Sequence, residues 1–259
     1  MLNLIRNDFK RFRKDKSMVV MGCLVIFFTL MSTVLFKVIQ SFAGDMEEIG
    51  LEYTAQDVLA SALNPASNMG LIILIVLSII LVKDYTHGTI RNKIIIGKKK
   101  TNIYVSSWIT LLVFAAVTYI IYAVLNWVVG VALFQGFGSI SAGDVTDMIV
   151  TILLATVAYF AYASLFVFYA NTFRTAGITI AAGFATMVIF SILSVVDQIP
   201  GLPESVTNIN KIIPTYWVMS ICNDGITTTN IIGCFAVFAA YSGLTLFVGT
   251  SLIKSKDIK

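Results

Sequence analysis

Six long apolar stretches divide the chain: Ser17–Phe36, Pro65–Val82, Tyr104–Phe134, Met148–Ala170, Gly177–Val196 and Asn230–Ile253. None of them contains Asp, Glu, Lys, Arg or His. A bilayer core about 30 Å thick is crossed by about 20 apolar residues of helix, so each stretch predicts a transmembrane span. The second opens on polar Asn64-Pro-Ala-Ser-Asn68, which reads as Asn64 capping a helix with Pro65 at its first position. The third is longer than a crossing needs, so it tilts or extends past the lipid. Trp108 and Trp127 are its candidate interfacial anchors. The expected fold class is an all-α integral membrane protein, one transmembrane domain over residues 1–259 with six spans.

The segments between the spans are patterned too. In residues 2–16, Leu2, Ile5, Phe9 and Phe12 recur three or four apart. Arg6, Lys10, Arg11, Arg13, Lys14 and Lys16 occupy the rest of the wheel. This predicts an amphipathic helix lying in the inner interface, with Arg6, Lys10, Arg11 and Arg13 on anionic headgroups. The alternative is a solvated basic tag. Residues 37–64 are acidic, with a short helical pattern at Tyr53–Leu63. Residues 197–229 carry Pro200, Pro203 and Pro214 and the short apolar run Ile212–Met219. That run reads either as a pair of short helices dipping into the outer leaflet or as a loop packed on helix ends. Residues 83–103 mix charge with Ile90, Ile94, Ile95 and Ile96, which predicts one or two short helices docking onto a partner or the membrane surface.

Composition agrees with the pattern. The chain is 58% hydrophobic and 12% charged, against roughly a quarter charged in soluble domains. With the N-terminus inside, residues 1–16, 83–103, 171–176 and 254–259 hold 16 Lys and Arg against four acids. The opposite segments hold Lys37 and Lys211 against ten acids. The positive-inside rule therefore places both termini in the cytoplasm, and the net charge of +4 reports sidedness rather than nucleic-acid binding. The basic start and Ser41-Phe-Ala43 resemble a signal peptide, but the apolar run is too long for one. Val20-Met-Gly-Cys23 opens the run that a lipoprotein box would close. Both readings are set aside.

Little catalytic chemistry is on offer. Cys23, Cys222 and Cys234 lack the spacing of a zinc site, and His87 cannot build a metal centre alone. Ion-coupled transporters and intramembrane hydrolases use ionisable groups at membrane depth, where these spans have none. Tyr119, Tyr122, Asn126, Tyr159, Tyr162 and Thr179 either line a pathway or hydrogen-bond between helices. Gly177/Ala181, Ala236/Ala240 and Ala239/Gly243 suit close helix packing. Gly88 and Gly97-Lys98 lack the spacing of a Walker A loop, so ATP-driven work requires a separate motor chain.

The layout resembles the membrane subunit of ABC-2-type exporters, the permeases of bacterial drug, peptide and polysaccharide export. The resemblance is carried by Asp84, Gly88, Thr89 and Arg91 in "DYTHGTIR" and by Gly97–Lys100 in "GKKKT". It departs at Asp84, where the family more often has Glu, and at Ser106-Ser-Trp108, where it often has a basic residue. It implies that Asp84, Thr86, His87, Gly88, Thr89 and Arg91 form a coupling helix docking on an ATPase subunit. It also implies a second permease subunit, either a homodimer partner or a related chain. Spans one, two and five would face the pathway, gated by the outer segment before span six. ATP and Mg would sit in the partner ATPase, with no cofactor, metal or catalytic residue here. The location implied is the bacterial plasma membrane, with the lipid bilayer itself as a partner. The chemically quiet spans suit amphipathic or hydrophobic cargo, with peptides preferred and drugs or lipids next. A competing reading is a membrane scaffold or sensor recruiting a cytoplasmic partner; an intramembrane enzyme is disfavoured.

Overall fold

The computed structural model describes residues 1–44, 53–65, 68–194 and 208–255. Among them the regular structure is helical: α1 (Leu2–Lys14), α2 (Lys16–Gly44), α3 (Ala55–Leu63), α4 (Asn68–Thr86), α5 (Thr89–Ile95), α6 (Lys100–Gly130), α7 (Ala142–Phe173), α8 (Ala176–Leu193), α9 (Pro214–Asp224) and α10 (Thr228–Ser255). Six of these, α2, α4, α6, α7, α8 and α10, are long and apolar enough to cross a membrane. The chain is thus a multi-pass membrane protein.

The spans are longer than the apolar stretches, because polar residues at the ends continue the helix. α2 runs on through Lys37 to Gly44, and α6 begins at Lys100. Its end slackens into one π turn, Val131–Gln135, before a 3-10 turn at Phe137–Ser139. α7 opens with a capping box: the Asp144 amide donates to Ser141 Oγ at 3.2 Å and the Ser141 amide donates to Asp144 Oδ2 at 2.8 Å. Thr54 and Asp57 start α3 in the same way. Asn64 differs from the expectation. It closes α3 as the C-cap, with Pro65 in the turn beyond, so the polar stretch ends one helix before the next begins. Residues 66 and 67 lie outside the described residues, as do the expected end of the fifth span and Pro200 and Pro203.

α7 forms the axis, packed by α10, α6, α4, α9 and α8. Most of its apolar window is buried, whereas α2, α8 and α10 bury less than a third of theirs. In a membrane those outer faces meet lipid or another subunit, and no water-driven penalty attaches to them. At one end of the bundle α1 and α5 gather against α4 and α6. At the other, α3 and α9 pack under α6 and α7. The 3-10 turn Asn208–Ile212 leads into α9, a single helix that carries most of the apolar run Ile212–Met219, with Pro214 at its first turn. They sit on the bundle end, with Val218 and Ile221 buried.

The polar groups inside the spans join helices. Tyr159 donates to the Gly70 carbonyl at 2.6 Å, Tyr119 donates to the Leu63 carbonyl, and Tyr162 bonds Thr215 at 2.6 Å. The rings of Tyr119 and Tyr159 stack with centroids 4.2 Å apart. Asn126 ties α6 to α2, accepting from Ser32 at 3.0 Å and donating to Thr29 Oγ1 at 3.3 Å. Of the two readings for these residues, interhelical bonding is what the structure contains for Tyr119, Tyr159, Tyr162 and Asn126. Trp108 likewise bonds across helices, donating to Ser164 Oγ at 3.1 Å. The expected small-residue pairs do not pack within this chain: Gly177, Ala181, Ala236, Ala239, Ala240 and Gly243 are all exposed. Close packing uses Gly183 against Phe166, Gly233 against Trp217 and Gly249 against Tyr104, where a Cβ would overlap the ring or its hydroxyl.

Candidate functional site

Charge inside an apolar bundle is costly unless paired, so the ionic groups at the α1 end mark the place to look. α1 does not carry its apolar stripe as the spacing suggested. Leu2 is 82% exposed, and the buried line is Leu4, Asp8 and Phe12, one residue every turn. Phe9 and Phe12 pack against Phe114 of α6, with ring centroids 5.3 and 5.4 Å away. The helix therefore lies against protein on this face, and the physical reason is Asp8. A carboxylate placed amid basic residues finds two donors deep in the bundle end.

Lys93 of α5 reaches Asp8 Oδ1 at 2.6 Å, and Ser106 of α6 donates to Asp8 Oδ2 at 2.6 Å. One turn on, Arg11 pairs with Asp84 at the end of α4. Beyond the helix, Lys83 Nζ sits 2.9 Å from Asp15 Oδ1 and 2.9 Å from Ser17 Oγ. Three ion pairs thus join α1 and the turn after it to α4 and α5, with Ser106 adding α6. Beside them Leu4, Ile90 and Ile103 form a small apolar cluster, with Tyr85 and Ile94 packed against it.

The electrostatics follow from burial. Burial lowers the Lys93 ammonium below the usual lysine range, and Asp8 pulls it back only in part. Burial likewise lowers Arg11, against Asp8 and Asp15, but an arginine remains a cation throughout. For Asp15, burial opposes ionisation, yet the Ser17 amide and the Lys83 ammonium outweigh it, so the carboxyl falls below its usual 3.8. Asp84 Oδ2 accepts no hydrogen bond among the described residues. Asp84, Arg11, Lys83, His87 and Thr89 line an open cavity of about 310 Å³.

The segment after α4 is shaped by glycine. Gly88 has φ +68°, a left-handed conformation that breaks the chain between α4 and α5 and turns it back toward α1. Gly97, φ +85°, makes the second turn, into α6. Between them α5 buries Ile90 and leaves Ile95 72% and Ile96 76% exposed. Those two isoleucines stand past the ends of the spans, next to Lys98 and Lys99.

The expected site residues thus separate into two kinds. His87 and Arg91 are exposed, and Thr86, exposed, spends its hydroxyl on the Lys83 carbonyl at 3.1 Å. Thr89 is half-buried, while Asp84 is buried and held by Arg11. Of the four expected membrane-interface residues, Arg6, Lys10 and Arg13 are exposed, and Arg11 pairs with Asp84. Sequence reasoning missed Asp8, Asp15, Lys83, Lys93 and Ser106. The available signal was two acids in a segment otherwise selected for positive charge. Among the described residues, no group of three His, Cys, Asp or Glu side chains gathers as a metal site would need.

A comparison with protein-family models finds no match for the chain, and neither does a comparison with curated proteins. The site's meaning therefore rests on its geometry. Lys93–Asp8 joins α5 to α1, and α1 is joined in turn to α6 through Ser106 and to α4 through the Arg11–Asp84 pair.

Proposed function

We propose that the chain is the membrane subunit of an ATP-driven exporter of the ABC-2 type, whose motor is a separate ATPase. The observation that carries this reading is α5: a seven-residue helix set between two left-handed glycines, buttressed by buried ion pairs, and capped by two exposed isoleucines. A loop that merely joined two spans would need neither the buttress nor the apolar tip. A docking element needs both, because it must hold its shape while a partner pushes on it. In this reading Ile95, Ile96, His87 and Arg91 contact the ATPase. Gly88, Thr86 and Thr89 shape the turn, and Asp84 positions it through Arg11. Arg6, Lys10 and Arg13 remain free for anionic headgroups.

The charge asymmetry supports a cytoplasmic location for α1, α5 and both termini, in the plasma membrane of a bacterium. The exposed apolar faces of α2 and α8 support a second permease copy or related chain beside this one. The cargo is an amphipathic or hydrophobic compound, with a peptide preferred and a drug or lipid next. ATP and Mg belong to the partner. The test is purification from native membranes followed by ATPase assay. Copurification with a Walker A protein is expected, with hydrolysis stimulated by cargo and uncoupled by Asp84→Ala or Gly88→Val while the chain still inserts. A scaffold would show no cargo-dependent hydrolysis, and a stable, active chain with no ATPase would overturn the proposal.

A further inference from the structure

The opposite end of the bundle holds a larger cavity, of about 690 Å³, within the 300–1,000 Å³ range of small-molecule sites. Three helices build it by their spacing. α3 contributes Gln56, Leu59 and Ala60, and α7 contributes Asp144, Asp147, Met148 and Thr151, each set on one helical face. The end of α9 supplies Ile221 and Cys222, and Trp127 of α6 completes an apolar wall. Burial grades across it: Leu59 and Ile221 are buried, Trp127 and Met148 half-buried, and Gln56, Asp144 and Asp147 exposed at the mouth.

The charge is one-sided. No Lys or Arg lines the cavity among the described residues; Lys37 is held over the Phe134 ring instead, 5.1 Å from its centroid. The two carboxylates are not equivalent. Asp144 is spent on the capping box, whose amide and hydroxyl donors lower its pKa and keep it ionised. That carboxylate also meets the positive N-terminus of α7. Asp147, one turn further, has no hydrogen bond or ion pair among the described residues. The C-terminal turn of α9, whose unpaired carbonyls carry partial negative charge, adds to the same sign.

We infer that this cavity is a binding site for a cationic amphiphile, whose apolar body lies on Trp127, Leu59, Met148 and Ile221 and whose cation sits at Asp147. The site is independent of ATPase docking, since it lies at the far end of the bundle and needs no motor to fill. Its failure leaves the exporter reading standing, and the reverse also holds.

The experiment uses the full chain in zwitterionic nanodiscs and two probes of matched shape and opposite charge, tetraphenylphosphonium and tetraphenylborate. Binding is read by equilibrium dialysis against empty nanodiscs and by quenching of Trp127, with Trp127→Phe as the reference. Saturable binding of the cation is expected, weakened about fivefold in Asp147→Asn and by added salt. Ala60→Trp, which fills the apolar part, is expected to abolish it. The borate is expected to show only the partition seen in empty nanodiscs. Equal saturable binding of both probes, or cation affinity unchanged in Asp147→Asn and in Ala60→Trp, overturns the inference.

Discussion

The Asp8–Lys93 pair offers the sharpest test of how α1 is held. Replacing Asp8 with Ala leaves Lys93 without its counter-ion and Ser106 without its acceptor. Both Asp8 and Lys93 are shielded, with side-chain exposures of 3% and 15%. Breaking a fully buried pair costs about 3–5 kcal/mol, but Lys93 lies near enough to the surface to swing partly into water. A cost of about 2–3 kcal/mol follows, with about a third of it from the lost Ser106 bond. At about 2–4 °C per kcal/mol, the midpoint of thermal unfolding in detergent falls by roughly 5–10 °C. Lys93→Met removes the cation but leaves Asp8 buried, still bonded to Ser106, and costs a similar amount. The double variant Asp8→Ala/Lys93→Met places two apolar side chains together and recovers much of the loss, giving a coupling energy of about 1–3 kcal/mol. Purely additive losses in the double variant would refute the argument, because they would mean that the two groups do not interact.

Other outcomes follow from the same geometry. Gly88→Val forces a β-branched residue into φ +68°, which costs at least about 1–2 kcal/mol locally and should release α5 from Asp8; Gly88→Asn, which tolerates that region, should behave close to the parent in a pull-down with the ATPase. Asp15 has a depressed folded pKa, so its stabilisation is complete well above the unfolded value of 3.8 and is lost as pH falls through 3.8 toward the folded pKa. Acid unfolding monitored by circular dichroism should lose part of its slope below pH 4 in Asp15→Asn. Gly233→Ala sets a methyl into the Trp217 ring and should cost about 1–3 kcal/mol, read as a lower unfolding midpoint and a shift in tryptophan emission.

The spans were legible because bilayer thickness turns a residue count directly into structure. The position of α3 was legible as well, from the helical pattern at Tyr53–Leu63. What periodicity could not supply was the partner of each polar face. Leu2, Ile5, Phe9 and Phe12 make a sound apolar stripe, but helical spacing does not distinguish lipid from protein. In the structure Leu2 is exposed, while Phe9 and Phe12 pack on Phe114 and Asp8 is buried against Lys93. Small residues misled for a related reason. Gly177 and Gly243 carry the right spacing but nothing within 4 Å, whereas Gly183, Gly233 and Gly249 are fixed by a single aromatic neighbour distant in sequence. The turn at Gly88 was readable as a motif, yet the role of Lys93, five residues later, depended on a helix more than eighty residues away.

That separation bears on biosynthesis. α1 precedes in the chain the groups that hold it, which lie 85 and 98 residues further along. Until spans two and three have been inserted, the basic helix has only the membrane surface to rest on, and its phenylalanines and arginines suit that surface. Docking then exchanges lipid headgroups for Asp84 on Arg11 and lipid tails for Phe114 on Phe9 and Phe12. The side chains of α1 thus suit both a membrane surface and the bundle end on which they pack. The place of α1 over the bundle end therefore depends on α5 and α6, which carry Lys93 and Ser106.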